Sequence, residues 1–259
     1  SRVIQYLDET KGDGSKPFFA YLAFTAPHWP LHAPDADIAR YENRYDAGYD
    51  ALRGERLERM KKLGLVPAAT TAYRGHPHWP TWERLPAEQK RSEARRMAVY
   101  AAMVDHMDRQ IGRVLKHLES SGELDNTVVV FISDNGADGN SVYDVARTRE
   151  WIHKDMDNST ANLGRPGSFI EYGPGWAQVG STPLNLYKSF MYEGGISVPA
   201  IFWAPQQGIA ARQCRQPSRR HAPGLERFLQ ACVSKGLWRQ AGHLQRVQHG
   251  HREEREPDL

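Results

Sequence analysis

The sequence predicts an α/β protein with a mostly parallel sheet flanked by helices, and three stretches carry that expectation. Residues 18–24 (Phe-Phe-Ala-Tyr-Leu-Ala-Phe) and 127–132 (Thr-Val-Val-Val-Phe-Ile) are apolar runs of strand length without polar alternation, and they read as strands buried on both faces. Between them, Met97, Ala101, Val104, Ile111, Val114, Leu115 and Leu118 recur at helical spacing. Residues 92–121 are therefore expected as an amphipathic helix, with Ser92 as its N-cap and Gly122 as its stop. A helix, the Asp125-Asn126 turn and a buried strand in succession form the unit from which parallel sheets are built. Ligands in such sheets sit beyond the carboxyl ends of the strands, which singles out the polar loops 25–34 and 133–139.

Length and composition set outer bounds. A chain of 259 residues suffices for one or two domains and a sizeable core. With 40% hydrophobic and 25% charged residues, and no run of eighteen apolar ones, it reads as neither membrane-spanning, disordered nor collagen-like. Its two cysteines, Cys214 and Cys232, cannot staple a chain of this size, which excludes a disulfide-framework domain. The net charge of +3 divides unevenly: residues 206–259 hold 10 basic and 5 acidic residues, and residues 1–205 hold 24 and 26. The body is slightly acidic and the tail basic, so two regions are expected, 1–205 and 206–259.

In chain order, Ser1–Leu7 reads as the end of an amphipathic helix without an initiator methionine or a signal-peptide layout, and points to a fragment. Compartment stays open between cytoplasm and periplasm. Residues 12–17 are loop chemistry. Three prolines within residues 27–34 stiffen the loop after the first apolar run. Short charged helices are expected around 50–64, then a proline- and aromatic-rich linker around His76–Pro80. Residues 140–186 lack a long periodic element and read as a long functional loop. Order returns at Tyr187–Gly195, followed by a short strand over 196–203. Past Pro205 the chain is biased toward Arg, His and Gln, unlike a packed core.

Four side chains can carry chemistry. Asp134 and Asn135, directly after the second apolar run, offer the hard oxygens that Ca²⁺ or Mg²⁺ takes, although Asp-Asn-Gly is equally a tight turn. His28, on the stiff proline loop, can bind an anion or protonate a leaving group, or can simply pack as a histidine beside Trp29. His32 is four residues further on, but a metal pair at that spacing needs a helix, which the prolines forbid. Lys188 is a solvated charge by default, and gains interest if Gly194-Gly195 draws backbone toward the same strand ends. Asp105 and Asp108 read as polar-face residues of the long helix. The tail histidines His221, His243, His249 and His251 match no regular metal spacing.

Taken together, residues 17–34 (PFFAYLAFTAPHWPLHAP), 100–136 (YAAMVDHMDRQIGRVLKHLESSGELDNTVVVFISDNG) and 186–199 (LYKSFMYEGGISVP) resemble the sulfatases, among them the bacterial arylsulfatases. Residues 157–177 (DNSTANLGRPGSFIEYGPGWA) are similar to a loop segment of one arylsulfatase subgroup. The resemblance covers about residues 1–205. It implies an alkaline phosphatase-like α/β fold, incomplete here, and hydrolysis of a small-molecule sulfate ester. It also implies that Asp134 and Asn135 are Ca²⁺ ligands, that His28 contacts the sulfate and assists the leaving group, and that Lys188 contacts the sulfate oxygens. A cation, a lysine and a proton donor around one group suit a reaction that moves negative charge onto the leaving oxygen.

The sequence departs from the family in two ways. The family's nucleophile is a formylglycine made from the cysteine of Cys-x-Pro-x-Arg. That motif is absent, and Cys214-Arg-Gln-Pro-Ser-Arg has one residue too many before Pro217. The tail lacks periodicity, as a frame change or truncation would leave it. The chain alone is thus expected to be inactive. Two other readings compete: a phosphate-ester hydrolase of the same superfamily, and a non-catalytic protein whose basic tail contacts anions or nucleic acid. Sparse aromatics in the tail, Phe228 and Trp238, weigh against nucleic acid.

Overall fold

A computed structural model describes residues 2–10 and 16–204. The tail 206–259, with Cys214, Cys232 and its histidines, lies outside the described residues. The described residues divide into two compact units, one holding 2–9 and 20–204 and the other 10 and 16–19. In the smaller, residues 16–19 have no regular helix or strand, and Phe19 is exposed.

In the larger unit, helix α1 (Arg2–Thr10) turns Leu7 inward against Val114 and Leu118, as its amphipathic pattern predicts. After the proline loop come α2 (Asp35–Ala39) and α3 (Gly48–Lys62), the latter one continuous helix where several short ones were expected. The long helix, α4, spans Ala87–Ser120 and begins five residues before Ser92, because Pro86 already sets the dihedral from which a helix can start. Its end agrees with the sequence: Gly122 takes φ +75°, the left-handed conformation that stops a helix. Small residues on its buried face, Ala94, Ala98 and Ala102, let other elements approach closely.

The sheet departs from expectation. Among the described residues it has two strands, β1 (Val129–Ile132) and β2 (Ala200–Trp203), and they pair antiparallel with Val129 opposite Trp203. No parallel pairing and no strand at 18–24 are seen among the described residues. Nor are the apolar runs buried: Tyr21 is 82% exposed, and Val130, Phe131, Ile132, Ile201 and Trp203 are all exposed. An apolar run records local propensity, whereas burial on two faces needs neighbouring strands and covering helices, and two strands supply neither.

The region expected as a loop, 140–186, contains much of the core. It forms α5 (Ala146–Asp155) and α6 (Gly173–Gly180), and α7 (Glu193–Ile196) follows before β2. Ile170, Leu163 and Trp176 are fully buried. Tyr45, Tyr49 and Trp82 meet Trp176 edge-on at 5.6–5.8 Å between ring centres, which favours the ring quadrupoles. Gly164 lies so close to α4 that a Cβ there would strike Val99. Leu31 N–H donates to Ile170 O at 2.9 Å and Ala33 N–H to Gly164 O at 3.2 Å, so this region anchors the proline loop. No helix among the described residues is long and apolar enough to cross a membrane.

Candidate functional site

Three loops build the site. The first turns at Pro27 and Pro30, both preceded by cis peptide bonds, with His28 N–H donating to Thr25 O at 3.0 Å. The second, 133–139, leaves the end of β1. The third, 185–195, carries Lys188 between Leu186 and Ser189, two non-glycine residues held at φ 60° and 76°. Such backbone is costly and persists only where the surroundings enforce it.

Glycines enforce it here. Gly194 lies against the carbonyls of Asn185 and Leu186, Gly195 against those of Phe190 and Tyr187, and Gly136 against Gly194, with no room for a Cβ at any of them. Gly136 N–H donates to Gly195 O at 2.9 Å, and Lys188 N–H to Ala137 O at 2.9 Å. Gly194-Gly195 thus draws the lysine loop onto the 133–139 loop, the condition under which the sequence made Lys188 interesting.

His28 and Lys188, 160 positions apart in sequence, meet: Lys188 Nζ is 3.1 Å from His28 Nε2. His28 Nδ1 is 2.7 Å from Trp29 O, and a carbonyl only accepts, so Nδ1 carries a proton. In the neutral ring Nε2 is then the acceptor and takes a hydrogen bond from the ammonium. The ring also packs on Trp29 with centroids 4.7 Å apart, so the bland reading of His28 holds alongside the functional one. With its side chain 46% exposed, it can still be reached from solvent.

The sequence missed a third member. Asp138 Oδ2 accepts from Lys188 Nζ at 3.0 Å and Trp29 Nε1 at 3.1 Å, and lies 3.6 Å from His28 Nε2. Its Oδ1 accepts from Asn140 N at 3.1 Å and Asn140 Nδ2 at 2.7 Å. Burial pushes the Asp138 carboxyl up, but the Lys188 and Asn140 hydrogen bonds outweigh it and hold the group below the usual aspartate value. The one available signal was position: Asp138 falls within the 133–139 loop already singled out. Its local pattern, with an Asn two residues on, reads only as an Asx turn.

Asp134 and Asn135 open the same 133–139 loop that carries Asp138. Asp134 is exposed in the turn after β1, and Asn135 donates Nδ2 to Gly136 O at 3.0 Å, which leaves its carbonyl oxygen for a cation. The donor chemistry fits two positions of a Ca²⁺ sphere of six to eight oxygens. Among the described residues no group of three or more His, Cys, Asp or Glu gathers to hold a metal. His32 has a structural partner, Ser168 O at 2.7 Å, and Asp105 pairs with Arg40 and Arg109 on the helix surface.

Comparison with known proteins gives the family. A family model described as Sulfatase matches residues 1–222. The chain is 47% identical over 203 residues to an uncharacterized sulfatase of Schizosaccharomyces pombe, covering 77% of this chain and 36% of that protein. It is 41% identical over 194 residues to an arylsulfatase of Klebsiella aerogenes, covering 73% and 41%. To an arylsulfatase of Clostridium perfringens it is 29% identical over 146 residues, covering 55% and 25%. The chain thus spans well under half the length of these relatives.

Proposed function

The chain belongs to the sulfatase family, and from that premise we propose that it carries the part of a sulfate-ester hydrolase that holds the sulfate and protonates the departing alcohol or phenol. The family implies an alkaline phosphatase-like α/β fold. The observation that carries the reading is the 3.1 Å approach of Lys188 Nζ to His28 Nε2.

Lysine has three N–H donors. One points to Asp138 and, while the His28 ring is neutral, one to Nε2, which leaves the third for a sulfate oxygen; protonation of the ring ends the bond to Nε2 and frees that donor as well. His28 becomes a donor at Nε2 only as the imidazolium, since its Nδ1–H is committed to Trp29 O. In that form Nε2–H donates to the ester oxygen and delivers its proton there as the S–O bond breaks, offsetting the negative charge that develops on the leaving oxygen. Asp134 and Asn135 would hold Ca²⁺, which supplies further charge stabilisation when bound.

None of these groups attacks sulfur. Covalent catalysis needs an activated nucleophile, and the sequence holds no Cys-x-Pro-x-Arg. The chain alone is therefore expected to bind sulfate without hydrolysing an ester. Calorimetric titration with inorganic sulfate tests the first part: His28→Ala and Lys188→Ala should each weaken binding by about tenfold, as loss of one charge-assisted hydrogen bond does. Affinity unchanged in both variants would overturn the reading. Turnover of an aryl sulfate that Cys214→Ala abolishes would overturn the expected inactivity.

A further inference from the structure

Resting on the sulfate reading above, we propose that Asp138 is a positioning residue of this site: its carboxylate fixes the Lys188 ammonium beside His28, so that the free N–H of the lysine faces an anion that reaches the ring. Asp138 is the point at which all three loops converge. Trp29 brings the first loop to it, Lys188 the third, and Asn140 secures it from its own loop through two hydrogen bonds. Its side chain is 11% exposed, against 46% for His28, so Asp138 sits behind the groups that meet solvent. A sulfate dianion reaching His28 and Lys188 has no reason to touch a carboxylate, and Asp138 therefore acts through them.

The electrostatics give this role a direction. A sulfate oxygen bonded to His28 Nε2 requires the imidazolium, whose charge lies beside the Lys188 ammonium at 3.1 Å. Asp138, 3.6 Å from Nε2 and 3.0 Å from Nζ, compensates both charges. Tyr172 and Tyr187 also feel the Asp138 charge; burial raises Tyr187 to about 12 and Tyr172 well above its usual value, so both stay neutral near neutral pH and leave Asp138 to balance the lysine. Without the Asp138 carboxylate the ammonium loses the charged oxygen that fixes its position, and the two cationic donors face each other uncompensated.

The test is titration of the full 259-residue chain with inorganic sulfate at one fixed pH near neutral. In Asp138→Asn, an isosteric change, affinity should fall by about tenfold, as loss of the charged partner of the lysine does. Asp138→Glu, which keeps the charge, should recover part of it. Adding Asp138→Asn to Lys188→Ala should cost little more than Lys188→Ala alone, because Asp138 acts through the lysine, whereas a merely structural role would add its own loss. Trp29→Phe, which removes one anchor of the carboxylate but not its charge, should fall between wild type and Asp138→Asn, and serves as the test if Asp138→Asn does not fold. If Lys188→Ala loses sulfate while Asp138→Asn or the folded Trp29→Phe binds like wild type, the positioning role is overturned and the sulfate reading stands. If wild type does not bind sulfate, or Lys188→Ala binds it undiminished, the sulfate reading fails and this proposal with it.

Discussion

Gly136 and Gly194 touch backbone to backbone: a Cβ on Gly136 would fall onto the carbonyl oxygen of Gly194. The neighbour is main chain, which cannot rotate away as a side chain would. Gly136→Ala must therefore separate the 133–139 loop from the 185–195 loop, breaking the hydrogen bonds to Gly195 O and Ala137 O. Overpacking against backbone costs about 3 kcal/mol. Urea denaturation should show that loss, and sulfate binding should fall with it because Asp138 and Lys188 lie on opposite sides of the seam.

Trp176 anchors the core. It is fully buried, donates Nε1–H to Glu93 O at 3.0 Å, and meets three aromatic rings. Truncation removes the largest of the fully buried side chains and leaves a cavity bounded by Tyr45, Tyr49 and Trp82. Trp176→Ala should cost about 3–5 kcal/mol. Equilibrium unfolding followed by far-UV circular dichroism checks this.

The two largest departures from the sequence reading share one physical origin. Around residues 18–24 and 127–132, apolar composition is a local property, but the faces of a strand are buried only by what lies next to it, and Tyr21 and Ile132 remain exposed. Around Gly173–Gly180 the reverse holds: a short glycine- and proline-containing helix shows no periodicity, yet Trp176 and Ala177 are buried because α3 and α4 close over them. The α4 pattern was legible because thirty-odd residues repeat it. In the site, His28 and Lys188 could be singled out from stiff or glycine-flanked loops. Asp138 could not, since its bonds to Lys188 and Trp29 span 50 and 109 positions.

Acid should weaken the fold through Asp37. This carboxylate bonds His106 and Arg109 of α4, and those hydrogen bonds hold it below the usual aspartate value. A carboxyl lowered in the folded state contributes stability that is fully present above its unfolded value, near pH 4, and is lost as pH falls through the folded one. The partner side chains are partly exposed and screened, so the contribution is about 1 kcal/mol. Asp37→Asn should lower Tm by about 2–4 °C at neutral pH. The gap to wild type should close below about pH 4, which thermal scans across pH would reveal.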